Sequence, residues 1–136
     1  MIDAKPTPIF KEWSLRYTEL AFAQAVPKSH KLEKMLAPDF VVVFHDGGKV
    51  RRVSRAEFIK LNSKEETDKY ENHLRYSISG MSVKGSRASI LVKLETQAVQ
   101  EDGHVLGYAT AFWQDTWVKQ AAVWKLSKRV NSEKKR

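Results

Sequence analysis

The sequence predicts an α+β fold in which a curved antiparallel sheet carries helices across its concave side. Helical periodicity is confined to the stretch before Asn62, and long strand-like segments fill the chain from Leu74 onward. Helices followed by strands is the order expected of an α+β domain. The ribbon from Val105 to Val130 adds weight, since three of the four tryptophans sit there among β-branched and aromatic neighbours that suit a pleated, half-buried surface.

Ile9, Trp13, Tyr17, Leu20, Ala21 and Ala25 recur at near-helical spacing, so residues 9–25 read as an amphipathic helix that Pro27 ends. Ser29 caps a short second helix with Leu32, Met35 and Leu36 inward, stopping before Pro38. Phe40 to His45 is a strand whose near-continuous apolarity implies burial on both faces. Asp46-Gly47-Gly48 turns the chain, glycine tolerating positive φ, and Val50 to Val53 pairs back. Ser54-Arg55-Ala56-Glu57 is a capping box that opens a third helix with Phe58, Ile59 and Leu61 as its apolar residues. The polar run Asn62 to Asn72 is a loop or a helical extension.

Three long antiparallel strands follow: Leu74 to Val83 with Gly80 at a bulge, Ala88 to Gln100, and Val105 to Lys119. The last strand is Val123 to Val130. With the turn at Ala121-Ala122, residues whose numbers sum to 243 face each other. Lys119 then opposes Trp124, Trp117 opposes Leu126, Asp115 opposes Lys128 and Trp113 opposes Val130. Alternation places Trp113, Asp115, Trp117, Trp124, Leu126, Lys128 and Val130 on one face. Phe112, Thr116, Val118, Val123 and Arg129 fall on the other.

No repeat, linker or low-complexity segment interrupts the chain, so residues 1–136 read as one domain with its core over 9–130. Residues 131–136 form a basic tail with nothing apolar to anchor it. No run approaches the roughly 18 apolar residues of a membrane span. Met1 to Pro6 lacks the apolar stretch of a signal peptide, which gives a cytoplasmic expectation and leaves secretion after signal removal open. The absence of cysteine excludes a thiol nucleophile, disulfides and Cys-ligated zinc. The net charge of +8 falls partly on Lys125, Lys128, Arg129, Lys134, Lys135 and Arg136. Such charge draws nucleic acid or simply solvates a face, and no RRM, KH or zinc-finger motif supports nucleic acid as a partner.

Leu36-Ala37-Pro38-Asp39-Phe40-Val41-Val42-Val43, a glycine turn and Val53-Ser54-Arg55-Ala56-Glu57-Phe58 resemble the front half of the nuclear transport factor 2-like superfamily. Asp115-Thr116-Trp117-Val118-Lys119 and Val123-Trp124-Lys125-Leu126 resemble the closing hairpin of its SnoaL-like branch. The resemblance covers residues 9–132 and implies a cone-shaped α+β fold, cystatin-like in architecture, with a pocket between about three helices and the sheet, and a homodimer. Relatives usually turn that hairpin on Asp-Gly where this chain has Ala121-Ala122, so the turn is expected to be longer or differently shaped. They also often carry a histidine near the end of the last strand, where this chain has Val130.

Asp115 is the sharpest candidate for chemistry. A carboxylate among Trp113, Trp117 and Trp124 would be desolvated and its pKa raised, which suits acid/base work. The plain alternative is purely structural, a cross-strand ion pair with Lys128 or a hydrogen bond to a helix. Tyr17 occupies the position that resembles the oxyanion-donating tyrosine of ketosteroid isomerases, or else it is a core tyrosine satisfied by a neighbour. The isomerases' catalytic aspartate aligns with Phe44, which cannot take a proton, and this counts against that reaction. Trp13, Phe40, Trp113, Trp117 and Trp124 either grip a flat apolar ligand or form an aromatic core. His30, His45, His73 and His104 have no metal-ligand spacing, so neither a metal nor a cofactor is expected.

Two functions compete: a pocket protein for a small apolar molecule, with acid/base catalysis left open, and a noncatalytic module that forms a homodimer through the outer sheet face. A third, nucleic-acid binding, rests on the basic tail alone.

Overall fold

The computed structural model describes residues 7–26, 30–62 and 70–131, with Tyr70 by its backbone alone. Pro27, the expected cap at Ser29, most of the polar run after Asn62 and the tail past Asn131 lie outside the described residues. The elements are α1 (Pro8–Ala25), α2 (Lys31–Met35), β1 (Leu36–Asp46), β2 (Lys49–Ser54), α3 (Arg55–Leu61), β3 (Tyr70–Lys84), β4 (Arg87–Gln100), β5 (Val105–Gln120) and β6 (Val123–Asn131). The six strands form one curved, open sheet in the order β2-β1-β6-β5-β4-β3. Every pairing is antiparallel except β1 with β6, which run parallel. The helices cover the inner face, and Trp13, Tyr17 and Leu20 of α1 join Ile90, Val92, Trp117 and Leu126 in one hydrophobic cluster. Among the described residues no helix is long and apolar enough to cross a membrane.

Thr7 caps α1, its hydroxyl accepting from the Phe10 amide at 3.1 Å, and Pro8 sits in the first turn, where a missing N–H costs nothing. The buried seam runs through Trp13, Tyr17, Leu20 and Ala23, while Ile9 and Ala25 are exposed. Helix α2 ends at Met35, short of the expected stop before Pro38, and Leu36 opens β1. Its last carbonyls find cations: Lys125 Nζ donates to the Lys34 carbonyl and Arg55 Nη2 to that of Glu33, each at 2.7 Å. Pro38 lies within β1 where pairing to β6 is interrupted between Leu36 and Val41, so its missing N–H breaks no ladder bond to β6. Val42 and Val43 are adjacent and both buried, which is burial on both faces. Ser54 caps α3 by accepting from the Glu57 amide at 3.2 Å, but Leu61 points outward and is 63% exposed. A register shift separates Ile78 from Gly80, and a Cβ at Gly80 would stand 3.2 Å from Leu91 Cδ1.

The closing hairpin turns on two residues. Ala121 and Ala122 adopt φ of 51° and 68°, a left-handed pair that matches strand twist at about 1–2 kcal/mol of strain per residue. Lys119 opposes Trp124 and Trp117 opposes Leu126, as the sequence predicts. A bulge then skips Ser127, so Asp115 opposes Arg129 and Trp113 opposes Asn131. The expected pairs Asp115–Lys128 and Trp113–Val130 do not form. One extra residue reverses which side chains face inward: Lys128 is exposed and Arg129 is buried. At the strand's end Asn131 Oδ1 accepts from the His45 amide at 2.8 Å, and its Nδ2 donates to the His45 carbonyl at 3.2 Å. The side-chain amide thus extends the parallel β1–β6 contact.

Candidate functional site

Alternation along β5 turns Asp115 inward, and the bulge in β6 brings Arg129 against it. Arg129 Nε donates to Asp115 Oδ1 at 2.9 Å and Nη2 donates to Oδ2 at 2.8 Å, a bidentate pair. Tyr17, one helical turn beyond Trp13 on the inner stripe of α1, donates its hydroxyl proton to Asp115 Oδ2 at 2.6 Å. That hydroxyl in turn accepts from Trp117 Nε1 at 2.9 Å. On the other side Arg129 Nη1 donates to the Tyr76 hydroxyl at 3.0 Å, which donates to Gln24 Oε1 at 2.5 Å. Gln24 Nε2 reaches Asn62 Oδ1 at 3.4 Å, and Asn62 Nδ2 donates to the Phe58 carbonyl at 2.8 Å. One polar chain therefore links β5, β6 and β3 to α1 and α3.

The network lies in the interior. Asp115 is 0% and Arg129 1% exposed, so water does not screen the pair. Burial pushes the phenols of Tyr17 and Tyr76 up from their usual range, with the Asp115 charge adding to the effect on both. Burial opposes the charge on Arg129, but the facing Asp115 carboxylate more than offsets it and the guanidinium is held well above its ordinary value. A phenol whose pKa rises on folding contributes stability that is complete below the unfolded value of 10.0 and is lost as pH climbs toward the folded one. Thermal stability is thus expected to fall as pH rises above about 10. Tyr17 and Tyr76 should ionise only as the fold opens. Melting curves from pH 8 to 12, read beside tyrosinate absorbance, check this; ionisation of all four tyrosines ahead of unfolding contradicts it.

The candidate residues separate into four groups. Trp13 lies edge-on to Trp117 and Trp124 at 5.5 and 5.1 Å, an aromatic core in which Trp13 and Trp117 are 1% and 0% exposed. Phe40 is buried against Phe58 at 5.0 Å. Trp113 stands apart and half-buried, edge-on to Phe44 at 5.6 Å with the Arg129 guanidinium 5.1 Å over its ring. Asp115 and Tyr17 do meet, yet each is enclosed by protein partners, and the carboxylate's cross-strand partner is Arg129 rather than Lys128. In this arrangement neither offers an atom to a ligand. Among the described residues no three His, Asp or Glu side chains gather as a metal would require.

Arg129, Tyr76, Gln24 and Asn62 did not stand out from sequence. Tyr76 had a readable signal, since Leu74, Tyr76 and Ile78 alternate with Arg75, Ser77 and Ser79. Arg129 had none, because an unmarked bulge moves it to the inner face.

Residues 22–122 match the model of a family described as "Putative lumazine-binding". No curated protein matches the sequence. Among solved structures, the "Putative Scytalone Dehydratase" of Novosphingobium aromaticivorans is 13% identical with a TM-score of 0.69, over 90% of this chain and 83% of that one. An NTF-2 like protein of unknown function from Silicibacter pomeroyi is 20% identical with a TM-score of 0.61, covering 93% and 98%. The association domain of C. elegans CaMKII is 12% identical with a TM-score of 0.62, covering 90% and 94%. At these identities the structures show the fold. The family match spans most of the chain, which belongs to the lumazine-binding-type family within the nuclear transport factor 2-like superfamily, on its SnoaL-like side.

Proposed function

We propose that this protein binds a flat, carbonyl-bearing heteroaromatic molecule against the wall formed by Trp113 and Phe44. The observation that carries the reading is the Trp113 indole N–H, a buried donor with no acceptor among the described residues. A buried unmet donor costs about 1–3 kcal/mol, so a ligand that displaces the side chains covering it and supplies an acceptor recovers part of that energy. The ring beside it is only half-buried, which leaves an aromatic surface for stacking. The family description points to the same ligand class. Asp115 and Tyr17 act here as positioning residues: they fix the guanidinium of Arg129 behind the indole and do not exchange protons with the ligand. A single domain that binds without a metal or cofactor belongs to this reading.

Lumazine itself is the probe. Trp113→Phe keeps an aromatic ring and removes the N–H, and is expected to weaken lumazine binding about 3–10-fold, the worth of one hydrogen bond. Titration calorimetry on both proteins checks it. Equal affinity in the variant ends the assignment of Trp113, and no saturable binding by either protein ends the reading.

A second reading rests on a separate observation. Leu91 and Phe112 are each 42% exposed on the outer sheet face, with Val123 50% exposed at its border. This mixed apolar surface suits a homodimer, and one structural relative is itself an association domain. Sedimentation at micromolar concentration should then give a dimer; a monomer disposes of it.

A further inference from the structure

The outer side of α1, turned away from Trp13, Tyr17 and Leu20, carries apolar residues that no core explains. Leu15 is 61%, Phe22 47% and Val26 37% exposed, and they share one stripe with Thr18 and Glu19. Thr18 bonds its hydroxyl back to the Ser14 carbonyl at 3.1 Å, which spends its polar group on the helix. Helix α2 stands alongside, and together they form a groove of about 550 Å³ lined by Thr18, Glu19, Phe22, Lys31, Lys34 and Met35. Pockets for single small ligands span about 300–1,000 Å³.

The charge on the α2 side has one dominant sign. Lys31 holds its ammonium 5.1 Å over the Phe22 ring, and Lys34 is exposed beside it. Lys125 and Arg55 reach the carbonyls of Lys34 and Glu33, so two further cations stand at the end of α2. Among the described residues the acidic groups nearby are Glu33, 3.6 Å from His30, and Glu19 on the opposite wall. An anion entering the groove is drawn to the lysine wall and repelled from the Glu19 wall, which orients it.

We propose that the α1–α2 groove is a binding site for an amphipathic anion, its chain or ring laid on Phe22 and Met35 and its carboxylate or phosphate held by Lys31 and Lys34. The site is separate from the wall at Trp113 and does not depend on it. The probe is decanoate, with decanol as its neutral counterpart and phosphatidylglycerol vesicles as the lipid-surface arm. Monomeric decanoate should bind saturably, one per chain. The double variant Lys31→Glu/Lys34→Glu should weaken it at least about tenfold, and Phe22→Ser similarly, a change of roughly 1.4 kcal/mol or more. Both variants alter exposed side chains, and an unchanged circular dichroism spectrum and melting curve in each reports an intact fold. Equal decanoate affinity in the variants, equal affinity for decanol, preference for vesicles over monomeric decanoate, or no saturable binding would each overturn the proposal.

Discussion

Asp115→Asn and Arg129→Met, made singly, are each expected to lower stability by about 3–5 kcal/mol, because each leaves the other member of a buried ion pair without its counter-charge. Against a total of about 5–15 kcal/mol for a domain, either variant should be marginal or unfolded near body temperature. Both side chains are within 1% of full burial, so solvent cannot replace the missing partner. Arg129→Met also strips Tyr76 of a donor, and Asp115→Asn disturbs the acceptor of the Tyr17 proton. Removing both charges together is the informative experiment. In Asp115→Leu/Arg129→Met no charge remains in the core, and the double variant should recover much of what either single loses. Tyr17 would still accept from Trp117 but would keep an unspent proton, at about 1–3 kcal/mol. Denaturant titration of the wild type, Asp115→Leu, Arg129→Met and Asp115→Leu/Arg129→Met measures the coupling. Singles that lose less than about 1 kcal/mol would show that the pair is not a buried ion pair in solution.

This pair also marks where sequence reading succeeds and stops. Asp115 was legible as an inward residue because it shares parity with Trp113 and Trp117 on a strand that is regular between them. Its partner was not legible, because the parity of β6 reverses at Ser127, a residue with no glycine or proline to advertise a bulge. The helix-to-strand boundary at Leu36 failed for a related reason. An apolar residue next to a helix satisfies both periods, and tertiary pairing with Leu126 decides which one it joins. The long strands, the turn positions and the Ser54 cap were readable because each rests on local chemistry. Whether the aromatic residues line a hollow or fill it depends on how α1 seats on the sheet, and that is a matter of packing. Trp13 and Trp117 fill it; Trp113 does not.

Trp117→Ala is expected to be the most damaging single truncation of an apolar side chain, at about 3–5 kcal/mol. Trp117 is 0% exposed and lies edge-on to Trp13 at 5.5 Å and to Tyr17 at 5.6 Å. Each such aromatic contact adds about 0.5–1.5 kcal/mol beyond the area it buries. Its indole N–H is also the donor to the Tyr17 hydroxyl, so truncation leaves that hydroxyl one bond short beside a charged pair. Trp124 provides the control. It faces the same helix across the same hairpin and touches Trp13 at 5.1 Å, but it is half-buried and has no hydrogen bond in the network. Trp124→Ala should therefore cost less, about 1–3 kcal/mol. Trp117→Phe, which keeps most of the ring and loses the donor, should fall between. Equal losses for Trp117→Ala and Trp124→Ala in urea titrations would mean that the inner end of the hairpin is no better packed than its rim. The enclosure of Asp115, Arg129 and Tyr17 would then have no wall to maintain it.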